Sequence, residues 1–175
     1  MSTLLLLVGL PAAGKTTRAR ALADERHALR LTPDEWMIPL FGESDDGKHD
    51  VLEGRLISVG LQALVRKTNV VLDFGFWGRD ERSALRHIAH SLGATPEVIY
   101  LPIERDEQID RIAQRARTTP QSTFPMSEDD VDRWRAQFQE PDDAELAGAP
   151  VPPPPAGWTD WWDWAADRWP SLVWP

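Results

Sequence analysis

Leu4-Leu5-Leu6-Leu7-Val8, running directly into Gly9-Leu10-Pro11-Ala12-Ala13-Gly14-Lys15-Thr16, is the stretch on which the reading of this chain turns. An unbroken apolar run of that length is the pattern of a β-strand covered on both faces in a parallel sheet. The eight residues after it match G-x-x-x-x-G-K-[ST] at every required position, and Thr16 to Glu25 then reads as a helix. Strand, glycine-rich loop and helix in that order make a phosphate cradle. The glycines admit backbone conformations that aim successive N–H groups at an anion, and the helix N-terminus behind them adds its dipole. The spacing predicts that residues from Gly9 to Thr17 hold the phosphates of ATP. Lys15 is expected to reach the β- and γ-phosphates and to act in catalysis, and the Thr16 hydroxyl to ligate Mg²⁺.

Outward from this loop the chain alternates. Further apolar runs lie at Val70-Val71-Leu72 and Val98-Ile99-Tyr100-Leu101, with a weaker one at Ala28 to Leu31. Helical patterns fill Val51 to Lys67, Arg79 to Ser91 and Glu104 to Arg117, and Ser127 caps a further helix reaching about Gln139. Alternating β and α segments imply an α/β fold with a mostly parallel sheet, helices on both faces and right-handed crossovers. Ligands in such sheets bind at the carboxyl ends of the strands.

Composition bounds the possibilities. With 175 residues the chain is long enough for one compact domain with its own core, so one active site is expected. Cysteine is absent, which excludes disulfides and thiolate metal sites. The apolar start lacks a basic leader and enters a functional loop, and nothing else approaches the roughly 20 apolar residues needed to cross a bilayer, so a soluble, cytoplasmic protein with no membrane partner is expected. The net charge of −9 sits in the C-terminal third: from Gln121 onward Arg133, Arg135 and Arg168 face eleven carboxylates, while the earlier residues are close to neutral. Global charge therefore does not exclude a polynucleotide substrate.

Two further segments, Leu31-Thr32-Pro33-Asp34-Glu35-Trp36 and Val70-Val71-Leu72-Asp73-Phe74-Gly75-Phe76-Trp77, together with the phosphate loop, resemble the small P-loop kinases often labelled AAA-family ATPases, relatives of polynucleotide kinase, zeta toxin and chloramphenicol phosphotransferase. The resemblance covers about residues 3 to 145. It implies a P-loop NTPase fold, a three-layer α/β/α sandwich of the nucleoside-monophosphate-kinase type, and phosphoryl transfer from ATP.

Asp34 lies just past the second predicted strand, on the side where the phosphate loop opens. It is the candidate base for an acceptor hydroxyl, a role an aspartate at this point has in the resembling kinases; the alternative is a helix N-cap. Asp73 ends an apolar strand, where it either holds Mg²⁺ beside Thr16, binds the acceptor, or caps the following turn. Trp36 and Trp77 are expected to close the acceptor side of the cleft, and Arg79 and Arg82 either meet substrate or solvate a first helical turn. Arg111 and Arg115 share a helix face at i, i+4 spacing, with Arg117 close by. They resemble the arginine-bearing lid of small kinases, suited to the nucleotide phosphates and the transition state, with Thr118 to Ser122 as its loop; the alternative is a solvated face paired to Glu107 and Asp110.

The expected activity is transfer of the γ-phosphate of ATP to a hydroxyl. A small-molecule acceptor is favoured over the 5′-hydroxyl of a polynucleotide, because the chain has only three lysines, Lys15, Lys48 and Lys67, one of them in the phosphate loop. The rivals are an ATPase with water as acceptor, and a regulatory interaction protein. No obligate protein partner is evident. Residues 1–148 are expected to form the kinase-like domain and residues 149–175 a connector and tail packed on it. The connector contains Pro152 to Pro155, and six of the nine tryptophans follow. Trp158, Trp161, Trp162 and Trp169 fall on one predicted helical face, which either seals a core edge or serves as a partner platform.

Overall fold

A computed structural model describes residues 1–42, 47–118 and 126–175. Four parallel strands, β1 (Thr3–Val8), β2 (Ala28–Leu31), β3 (Asn69–Gly75) and β4 (Thr95–Tyr100), form one sheet in the order β2-β3-β1-β4. β1 is central, with Leu4 in register with Val70 of β3 on one side and Pro96 of β4 on the other. Its continuous apolar run follows from that position. Leu4, Leu6 and Val8 pack with Val70 and Leu72 into one cluster, while Leu5 and Leu7 turn to the opposite face against Ala19, Leu22 and Val71. Successive strand side chains point to opposite faces, so a strand covered on both needs no polar alternation.

One face carries α1 (Lys15–Arg26). The other carries α3 (Lys48–Val65) and α4 (Arg79–Ser91), which supply Ile57, Leu61, Leu85 and Ile88 to the larger cluster. Short α2 (Asp34–Phe41) follows β2. α5 (Arg105–Thr118) and α6 (Glu128–Gln137) stand beside the phosphate loop, where Ile112 and Val131 bury Ala12. Ser127 caps α6 as expected, accepting from the Asp130 amide at 3.2 Å. No helix among the described residues is long and apolar enough to cross a membrane.

Several boundaries differ from the sequence reading; α3, for one, begins at Lys48, three residues before Val51. β4 begins three residues before Val98 and includes Pro96, which a sheet tolerates here because β4 pairs only with β1 and is an edge. The tail helix is also shorter than the tryptophan spacing suggests. After the short α7 (Asp143–Leu146) and the proline run, α8 spans only Trp161–Arg168, with Asp160 accepting from the Trp162 amide at 2.8 Å as its cap. Trp158 lies outside it and is exposed; Trp169 has left the helix yet is fully buried. α8 lies on α4, and Trp161, Ala165 and Trp169 join the main core cluster. The tail packs closely over Gly54 of α3, since a Cβ there would lie 2.5 Å from the Ser171 hydroxyl and 2.9 Å from the Leu172 amide.

Candidate active site

β1 delivers the chain to Gly9, whose amide donates to the Gly75 carbonyl at 3.1 Å. A Cβ at Gly9 would lie 2.8 Å from the Leu101 carbonyl oxygen, so only glycine fits between β3 and β4 at this turn. Gly14 has φ 91 and sits at the N-cap of α1, in the left-handed region that glycine adopts without a steric penalty. Between them three successive carbonyls of the loop are each held by a side chain. Leu10 accepts from Lys15 Nζ at 2.9 Å, Pro11 from Gln108 Nε2 at 3.1 Å and Ala12 from Arg111 Nη1 at 3.1 Å. Gln108 is fully buried, and its Oε1 in turn accepts from Arg135 Nη1 at 3.0 Å. The first amides of α1 have no partner within the helix, as at any helix N-terminus, and so are available to an anion.

A cleft of about 660 Å³ opens over this loop, lined on one side by Pro11, Ala12, Gly14, Lys15, Thr16 and Arg115. Asp34 lines the same cleft from the first turn of α2. It is not the N-cap: Pro33 occupies that position, with no side-chain cap bond, which removes the capping alternative. Burial draws the Lys15 ammonium below the usual lysine range, opposed by the carboxylates of Asp73 and Asp34 and reinforced by the Arg115 guanidinium. One cation and two carboxylates from three elements thus meet at the carboxyl end of the sheet.

Asp73 is buried near the end of β3. Desolvation pushes its carboxyl up, against the pull of Lys15 and Arg30 and a hydrogen bond with Thr16. Arg30 of β2 holds Asp73 Oδ2 at 3.2 Å and also pairs with Glu35. The Thr16 hydroxyl beside a carboxylate is a hard-oxygen donor set, and such a set suits Mg²⁺. Thr17, exposed on the first turn of α1, does not line the cleft.

Arg82 overturns the sequence expectation. Its side chain is fully buried, with Nε donating to Glu145 Oε1 at 2.5 Å, Nη2 to Glu145 Oε2 at 3.0 Å and Nη1 to the Phe76 carbonyl at 3.0 Å. A guanidinium so surrounded does not contact substrate. It instead fixes the turn after β3, where Phe76 adopts φ 40, a conformation uncommon for a bulky residue. Arg79 and Trp36 also stay out of the cleft: Arg79 pairs with Asp142 at 2.9 Å on the surface, and Trp36 is 48 % exposed on the outer side of α2. Trp77 does line it, its ring 6.2 Å from Trp134 of α6. Arg111 pairs with Glu107 at 2.6 Å, as the alternative reading had it, and holds the Ala12 carbonyl; it does not line the cleft, whereas Arg115 does. Of the expected lid loop, residues 119–122 lie outside the described residues, and Arg117 bonds its own helix at the Ala113 carbonyl.

Several residues at the site gave no sequence signal. Gln108 is one polar residue among many on an amphipathic helix. Trp134, His49, Glu53, Glu81 and Arg168 line the cleft from elements that no local motif connects to it.

Fold and loop together define a P-loop α/β protein of the kinase and NTPase type. The chain belongs to the AAA domain family AAA_33, which matches residues 4–141. No curated protein sequence matches it. Among solved structures it is similar in fold to a candidate kinase from Chloroflexus aurantiacus, at 21 % identity over 89 % of this chain and 84 % of that one, TM-score 0.64. It is also similar to Kti12 from Chaetomium thermophilum, solved with ADP-AlF3, at 16 % identity over 98 % of this chain and all (100 %) of that one, TM-score 0.66. A chain of the Pnkp1/Rnl/Hen1 RNA repair complex matches at 20 % identity and TM-score 0.62, over 78 % of this chain and 43 % of that one. At these identities the likeness is one of fold.

Proposed function

We propose that this protein is an ATP-dependent kinase transferring the γ-phosphoryl group to a hydroxyl of a small molecule. The observation that carries the reading is the position of Asp34 in the cleft of the phosphate loop, within electrostatic reach of Lys15. Phosphoryl transfer needs little covalent chemistry from the protein, only positioning and charge stabilisation plus a group to take the acceptor proton. Asp34 is the one cleft carboxylate beside the loop that is not held in an ion pair among the described contacts, which suits it to accept that proton. As the acceptor oxygen bonds to the γ-phosphorus, the bond to the bridging β–γ oxygen breaks and ADP leaves. Lys15 and Arg115 line the path along which charge develops. Arg111 and Gln108 hold the loop that presents its amides. Thr16 and Asp73 are the residues that would hold Mg²⁺, which neutralises phosphate charge when bound.

A small acceptor is favoured by the walls of the cleft, where Ile38, Phe74, Phe76 and Trp77 leave an aromatic and aliphatic lining instead of a basic track. Nucleic-acid sites combine several Lys and Arg phosphate contacts. Kti12, solved with ADP-AlF3, is consistent with nucleotide binding by this fold.

Isothermal titration with Mg·ATP, followed by ATP consumption with and without panels of hydroxylated acceptors, tests the proposal. Lys15→Ala is expected to abolish turnover in a protein that still melts cooperatively. Turnover retained in that variant, or equal consumption with and without every acceptor, would sink it.

A further inference from the structure

The cleft does not end at Asp34. Beyond it the walls are His49 and Glu53 of α3, Glu81 of α4 and Arg168 at the end of α8. Arg168 comes from a tail that the matched family, residues 4–141, does not include. Three carboxylates surround its guanidinium, Asp50 at 2.7 Å, Glu81 at 2.8 Å and Glu53 at 3.6 Å, and His49 Nδ1 also lies 3.6 Å from Glu53. The carboxylates themselves are fixed. Glu53 Oε2 accepts from Trp169 Nε1 at 2.9 Å and Glu81 Oε2 from the Gly78 amide at 3.0 Å. Lys48, next in sequence to His49, rests over the Phe41 ring at 5.4 Å and does not line the cleft.

We infer that this tail-closed end of the cleft is the acceptor subsite, and that it selects a hydroxylated small molecule carrying a basic amine. The inference rests on the kinase reading and adds the substrate class. Asp50 and Glu81 together outweigh the one guanidinium, while Glu53, paired with His49 at 3.6 Å and pushed up to about 7 by burial, adds negative charge only as it ionises; the partly enclosed walls weaken screening by water. A phosphate ester or carboxylate arriving there meets like charge, whereas an ammonium finds the Glu81 carboxylate within a preformed frame. Phe74, Phe76 and Ile38 give the carbon skeleton an apolar surface. The tail thus serves specificity as well as packing, because it both buries Trp161 and Trp169 and presents Arg168.

The test uses the full chain with a non-hydrolysable ATP analogue and Mg²⁺, and three sets of compounds matched in size: amino sugars, neutral sugars and sugar phosphates. Binding is read by thermal shift and titration. Amino sugars are expected to bind most tightly, and Glu81→Gln to weaken the best of them roughly tenfold, as removal of one charged contact does. Arg168→Gln, which keeps hydrogen bonds but removes the competing cation, is expected to strengthen it. Opposite signs in the two variants would not follow from loosened packing, and Arg168→Lys, retaining the charge, restores wild-type preference. Preferential binding of sugar phosphates, binding by none of the sets, or equal weakening in both variants overturns the inference. Nucleotide binding measured on the wild-type protein separates the cases, since its absence defeats the kinase reading itself.

Discussion

Gln108 Nε2 donates to the Pro11 carbonyl at 3.1 Å from a side chain with no exposed surface. This bond makes α5 part of the phosphate loop. A carbonyl so held is turned away from the phosphate position, and the same amide group is braced from behind by Arg135 of α6. The loop's shape thus depends on two helices that follow it by about a hundred residues.

Gln108→Leu should preserve the volume and leave the Pro11 carbonyl without its partner, while Arg135 keeps the Ile103 carbonyl at 3.0 Å. A buried polar group left unsatisfied costs about 1–3 kcal/mol. Mg·ATP affinity is expected to fall about tenfold, a change of about 1.4 kcal/mol, with a smaller loss in melting temperature. Titration calorimetry on the variant checks this; unchanged affinity would mean that the loop holds its shape without α5.

Asp34→Asn should leave Mg·ATP affinity close to wild type and lower phosphoryl transfer by about 10²-fold or more, the range general acid–base catalysis supplies. The decisive comparison is nucleotide binding against turnover in one preparation. Wild-type levels of both would remove Asp34 from the chemistry.

Arg82→Met is expected to destabilise the fold by about 3–5 kcal/mol, because it strands the buried Glu145 carboxylate. Arg82→Met combined with Glu145→Leu should recover most of that loss, apolar pairs being as stable as buried ionic ones. Urea denaturation of the two variants measures it. Equal loss in the double variant would assign the effect to the Phe76 and Trp77 carbonyls that Arg82 also holds.

Glu53 supplies a pH dependence. Burial pushes its carboxyl up to about 7, with Glu81 adding to the rise against His49, Trp169 and Arg168. The folded state therefore keeps a proton that the unfolded chain has already released. Stability falls with rising pH wherever the native state binds more protons, here between the ordinary glutamate value of about 4.5 and about 7. Glu53→Gln removes the titration while keeping an acceptor for Trp169. The melting temperature of the wild-type protein is expected to decline relative to this variant across that window, and parallel curves would show that Glu53 ionises normally.

The amino-acid sequence by itself determined the phosphate loop and the layers around it. Leu4 to Val8 announces a strand with two covered faces, and Gly9, Gly14, Lys15 and Thr16 act through backbone geometry and contacts within one turn, so their meaning survives in one dimension. The placement of Asp34 and Asp73 was legible as well, because Asp34 follows β2 and Asp73 lies near the end of β3, and in a parallel sheet those ends share one edge. Tertiary structure alone decided the rest. Whether an arginine near that edge faces substrate depends on what the remaining chain places against it: Arg82 is taken by Glu145, 63 positions away, and leaves the cleft. Arg168 reaches Asp50 across 118 positions and enters it. Gln108 finds Pro11 across 97. No local propensity distinguishes these three polar side chains before folding. Their roles follow from desolvation, which leaves a buried donor stable only where a distant acceptor meets it.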